Sequence, residues 1–194
     1  MSLLDMLQQQ LGGDAVKQIS GQLGADHGTT QTAIAAALPM IVGALARNTQ
    51  DPAQAGALSN ALSKDHDGSI LDDVTGYLSR GGNTADGNAI LSHVLGDRTN
   101  AVATGLSHVS GLDPAKAASL LSMLAPLVMG ALGKAQRQGG LDPGALAGML
   151  GGEHQQAMNA APGVMGMLGK FLDRNNDGSV LDDIGGMLGK TFGR

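Results

Sequence analysis

Two stretches of this chain set oxygen-bearing side chains at alternating positions around a glycine, a spacing that suits a hard divalent cation. The C-terminal stretch reads Asp173-Arg174-Asn175-Asn176-Asp177-Gly178-Ser179-Val180-Leu181-Asp182-Asp183. Calcium takes about six to eight oxygen ligands, and in a tight loop every second side chain points inward. Asp173, Asn175 and Asp177 open such a loop, Gly178 supplies the sharp turn, and Ser179 offers its backbone carbonyl. An EF-hand closes with a bidentate carboxylate at the loop's last place, but Ile184 stands there. The closing ligand therefore has to come early, from Asp182 or Asp183, with Asp183 the better placed.

The second stretch is Ser63-Lys64-Asp65-His66-Asp67-Gly68-Ser69-Ile70-Leu71-Asp72-Asp73. Ser63 replaces the first carboxylate, while Asp65, Asp67, Ser69, Asp72 and Asp73 keep the rest of the pattern. A weaker site, or one completed by water, is expected here. A second reading stands beside calcium in both places. Asp-Gly-Ser is ordinary turn chemistry, and an Asp pair ahead of an apolar run caps a helix at its positive end.

The elements that carry these loops repeat. Ala37-Leu38-Pro39-Met40-Ile41-Val42-Gly43-Ala44-Leu45 matches Leu124-Ala125-Pro126-Leu127-Val128-Met129-Gly130-Ala131-Leu132, and the same offset brings Asp26 onto Asp113. Gly56-Ala57-Leu58 matches Gly144-Ala145-Leu146 with one residue of slip, and residues 67–74 match 177–184. The expected division is a first helical repeat over 1–80, a linker over 81–89, and a second repeat over 90–194 with an insertion at 151–170.

Ile34, Ala37, Leu38, Ile41 and Leu45 fall at helical spacing, as do Leu121, Leu124, Val128 and Leu132. Asp26 and Asp113 are suited to N-capping, and Pro114 fits a first helical turn. Pro39 and Pro126 are expected to kink or restart their helices, because each removes an amide donor. No alternating β-branched run predicts a strand. The fold class is all-α: two homologous bundles of short helices with Asp-rich loops.

The block from Leu38 to Leu45, and the stretch from His93-Val94-Leu95-Gly96 through Gly111-Leu112-Asp113 to Leu132, resemble the bacterial YidB-like family, domain of unknown function 937. The likeness covers most of the chain and is strongest over about 90–135. It implies small helical units described as homeodomain-like, and it implies no activity, substrate or catalytic residue.

Composition narrows the function. Aromatic residues make up 2% of the chain while Gly reaches 31 residues, so the core has to be built by close approach of small and aliphatic side chains. With a net charge of −5 and scattered Lys and Arg, no basic surface for nucleic acid is expected. Cysteine is absent, so no disulfide or thiolate site exists. His27, His66, His93, His108 and His154 lack metal-ligand spacing and read as surface or boundary residues.

No phosphate-binding loop, nucleophile elbow or HExxH is present. Asp72-Asp73 and Asp182-Asp183 could be imagined as acid and base, but adjacent carboxylates at a helix start face different ways. The Gly-, Ala- and Met-rich stretch over 139–169 reads as an inner helical face, with an adaptable docking surface as the other reading. The longest apolar stretch, Ala33 to Ala46, is too short and interrupted for a membrane span and reads as a core helix. No basic-then-apolar leader opens the chain, so the expected compartment is the cytoplasm. The expectation is a non-enzymatic protein that binds calcium and works through self-association or a protein partner.

Overall fold

The computed structural model describes residues 2–160. In chain order the α-helices are α1 (Leu3–Gln10), α2 (Gly13–Leu23), α3 (His27–Asn48), α4 (Pro52–Asp65), α5 (Val74–Ser79), α6 (Thr84–Leu95), α7 (Thr99–Ser110), α8 (Pro114–Gly139) and α9 (Pro143–Ala160). Short 3-10 turns at Ser69–Asp73 and Gly96–Arg98 lead into α5 and α7. Among the described residues there is no strand.

The repeat is visible in where helices begin. Asp26 caps α3 by accepting from the Thr29 amide at 2.9 Å, and Asp113 caps α8 by accepting from the Lys116 amide at 2.9 Å. The next helices also start alike. Asp51 accepts from the Ala53 amide ahead of Pro52, and Asp142 accepts from the Ala145 amide ahead of Pro143. Matching Asp51-Pro52 to Asp142-Pro143 requires a slip of several residues rather than one, because α8 runs 26 residues against 22 for α3. Residues 84–89, expected as linker, form the first turns of α6, and α9 continues through Gly151 into the expected insertion.

The two prolines do not restart their helices. Pro39 and Pro126 each lie inside an uninterrupted helix. Pro126 has no amide hydrogen, so the Ser122 carbonyl one turn earlier loses its helical partner. Gly87 of α6 packs directly against that carbonyl, and a Cβ there would collide with it.

Helices α3 and α8 form the centre. Ile34, Ala37, Leu38, Ile41 and Leu45 are buried with Leu120, Leu121, Leu124, Val128 and Leu132 in one continuous core. Both helices are long and apolar enough to cross a membrane by length and composition, but 78% of each apolar stretch is buried by other helices of this fold. No fully buried residue of the described core is aromatic, and Tyr77 is half-buried at its edge.

The copies are interleaved. Helix α4, which follows α3, packs on α8, while α9, which follows α8, packs on α3. Glu153 of α9 adds a tie to the N-terminus. Its buried carboxylate accepts from the Leu3 amide at 2.8 Å and the Leu4 amide at 3.3 Å, satisfying donors that open α1. Gln136 of α8 donates to Ser59 Oγ of α4 at 2.7 Å.

Gly87→Ala is expected to destabilise the protein by about 2–3 kcal/mol in urea unfolding, since the new methyl meets backbone. Gly21→Ala, at an open position in α2, should be neutral or stabilising by up to about 1 kcal/mol.

Candidate functional site

The Asp-rich segment over 63–73 begins inside α4, whose last residues are Ser63, Lys64 and Asp65. Ser63, placed for the first ligand, donates its hydroxyl to the Ser59 carbonyl at 2.9 Å. Asp65 stands exposed at the helix end. The chain then turns at Gly68, whose φ of 88° lies in the left-handed region that glycine adopts without steric penalty. Asp67 builds this turn. Its Oδ1 accepts from the Ser69 amide at 3.0 Å and from Ser69 Oγ at 2.6 Å.

The remaining carboxylates diverge. Asp72 points to Lys134 Nζ at 3.7 Å, and Asp73 caps α5 by accepting from the Gly76 amide at 2.8 Å. Asp67 Oδ2 lies 3.5 Å from Arg137 Nη2. Among the described residues, no group of three or more His, Asp or Glu is gathered as a metal ligand set. The two cations that approach this loop, Lys134 and Arg137, both come from α8 of the second copy.

Glycines let the loop lie flush on α8. A Cβ on Gly130 would strike Ile70, one on Gly133 would strike the His66 carbonyl, and one on Gly68 would crowd Lys134. Leu71 and Val74 close the underside in the core. The ion pairs are solvent-exposed and contribute little individually, so the apolar seat positions the loop and the charges set its polarity.

Asp67 has its carboxyl held below the ordinary carboxylate range, first by the Ser69 hydrogen bonds and then by Arg137. A depressed folded-state value stabilises the fold above the unfolded value and loses that effect as pH falls through the folded one.

The second set, Asp173, Asn175, Asp177, Ser179, Asp182 and Asp183, lies outside the described residues, as do the end of the Met-rich stretch, 161–169, and the segment after it. Within the described part of that stretch, Leu146, Leu150 and Ala157 are buried, and Met158 is exposed.

Sequence reasoning did not single out Gly130, Gly133, Lys134, Arg137, Glu153 or Arg47. A signal existed for four of them: two glycines three apart, and two cations three apart, on the C-terminal half of an otherwise apolar helix. Arg47 lies at the end of α3, partly buried, and its charged form is disfavoured first by burial and then by the charge of Arg98. His154 sits against Gly43 one turn away, its Nδ1 buried without a partner. Burial, and then Arg47, lower the affinity of His154 for a proton.

Two outcomes test how this loop is seated on α8. Gly133→Ala should lift the loop from α8 and speed amide hydrogen exchange over 66–73 by about tenfold or more, while the centre of α3 stays protected. In wild type, the Ser69 amide resonance should titrate with a midpoint below about pH 3.9, the ordinary Asp value.

No curated protein and no solved structure shows a significant match to the chain. A family model described as bacterial protein of unknown function matches residues 5–135 and 142–194, two segments consistent with tandem copies. The chain belongs to this family, DUF937.

Proposed function

We propose that this protein is a non-enzymatic helical scaffold whose second Asp-rich loop, 173–183, binds calcium and whose first loop, 63–73, is a cation-independent strap. The carrying observation is the way the first loop is neutralised. Its acids face Lys134 and Arg137 of the other copy and cap α5, and its first ligand position is a serine already bonded within α4. For this loop the capping reading is the better supported of the two.

The second loop differs in the directions that favour a metal ion. Asp173 restores the first carboxylate that Ser63 lacks. By the offset that aligns α3 with α8, Arg137 corresponds to Gln50, so the cation that meets Asp67 has no charged counterpart for Asp177. A carboxylate at the first ligand place, and no charged counterpart of Arg137 for Asp177, favour a divalent ion at that end of the loop. Asp173, Asn175, Asp177 and Asp183 would supply side-chain oxygens, and Ser179 its carbonyl. Calcium then acts structurally, holding the loop to the segment after it, and the biological work runs through contact with another protein or a second copy. The homeodomain-like character implied by the family resemblance belongs to the same proposal. It carries no nucleic-acid role here, because the chain is acidic and its cations are dispersed.

The test is a thermal melt of the full chain by circular dichroism in chelator and in calcium, for wild type and Asp177→Ala. Calcium at 100 times its dissociation constant stabilises the folded state by about 2.7 kcal/mol. The wild type should gain several degrees, about 2–4 °C for each kcal/mol in a chain of this size, and the variant should lose most of that gain. An equal response in both proteins, or none in either, sinks the calcium reading and leaves both loops as caps.

A further inference from the structure

At the far end of α3 from its Asp26 cap, the helix meets the junction of α6 and α7 around an open cavity of about 430 Å³. Its wall carries Arg47, Arg98, His93, Asn48 and Asp51. Arg47 and Arg98 stand close enough to repel, and neither forms an ion pair among the described residues. Asp51, exposed on the same wall, accepts from the Ala53 amide through Oδ1 at the start of α4 and forms no ion pair with either arginine. Asn48 donates to the Val94 carbonyl at 2.9 Å, tying α3 to α6. Arg47 is half-buried and Arg98 exposed, and no carboxylate forms an ion pair with either among the described residues, so an anion entering the cavity would relieve their repulsion.

The repeat says which anion. The offset that maps α3 onto α8 maps Arg47 onto Lys134, and Lys134 is the residue that meets Asp72 of the first loop. Matching 67–74 to 177–184 maps Asp72 onto Asp182. We propose that the cavity at Arg47 and Arg98 is the docking site of this chain's own acidic segment 173–183, with Asp182 paired to Arg47 as Asp72 is to Lys134. The strap on α8 would then have a reciprocal partner on α3.

Chain length permits it. Helix α9 passes Gly43 at His154, one turn of α3 from Arg47. The stretch from Ala160 to Asp173 can span about 40 Å when extended, more than the width of a small domain. The apolar half of the strap cannot be copied, because His154 fills the place at Gly43 that Ile70 takes at Gly130. Charge is what remains, and the cavity supplies it in the form of two arginines that suit bidentate carboxylate recognition. The inference does not rest on calcium: Asp183, and not Asp182, closes the proposed metal loop.

The absence of cysteine makes the test direct. In the full chain, in chelator and at low micromolar concentration, Arg47→Cys with Asp182→Cys should form an intramolecular disulfide about tenfold faster than Lys17→Cys with Asp182→Cys, a pairing to the exposed face of α2. A charge exchange removes any concern about the cysteines. Asp182→Arg should lower the melting temperature, and adding Arg47→Glu in the double variant should recover most of the loss. Equal crosslinking rates for the two cysteine pairs, crosslinking only between molecules, or no recovery in the double variant would overturn the proposal. Because calcium is absent throughout, these results are separate from the fate of the calcium reading.

Discussion

Close backbone approach at a few glycines is the constraint on which this structure depends. The described core buries no aromatic ring completely, so its volume has to be closed by bringing helices together rather than by large side chains. Gly43 on α3 receives His154, and Gly130 and Gly133 on α8 receive Ile70 and the His66 carbonyl. Each of these contacts joins one copy to the other. A methyl group at any of them meets a neighbour at less than normal contact distance, so the seam between the copies is where the packing tolerates least.

That seam explains why the Asp-rich segment is ordered as it is. Glycine at 130 and 133 lowers the surface of α8, Ile70 and the His66 carbonyl fill the depression, and Leu71 anchors the turn below. Once seated, Asp67 and Asp72 face the cations that end α8, where positive charge also complements the helix dipole. Exposed pairs of this kind contribute at most about 1 kcal/mol each, so they orient a segment that apolar packing already holds. The same logic makes Glu153 structural. A carboxylate carried on α9 satisfies two amides at the start of α1, so the two ends of the described chain are held together.

Much of this was legible in the sequence. Helical periodicity identified α3 and α8, the capping role of Asp26 and Asp113 came from residue type, and the offset between the copies holds from Asp26 to Leu132. The interleaving was not legible, because a repeat read along the chain says which segments are alike and not which copy each one packs on. The absence of a helix restart at the prolines has a related reason. Loss of an amide hydrogen weakens a helix in isolation, but here Gly87 covers the Ser122 carbonyl that Pro126 leaves open, and both helices continue without interruption through the proline positions. In the Asp-rich loop, spacing located the turn at Gly68 and the acids around it. It could not show that Lys134 and Arg137, on a helix far along the chain, stand opposite those acids.

The central claim is that the two copies form one cooperative unit because each supplies a helix to the other's centre. Differential scanning calorimetry of the full chain tests this most directly. A single transition whose calorimetric enthalpy equals its van't Hoff enthalpy is the predicted result, since neither α3 nor α8 keeps its cover when the other copy unfolds. Two resolved transitions, or a calorimetric enthalpy well above the van't Hoff value, would mean that the copies fold independently and would contradict the account.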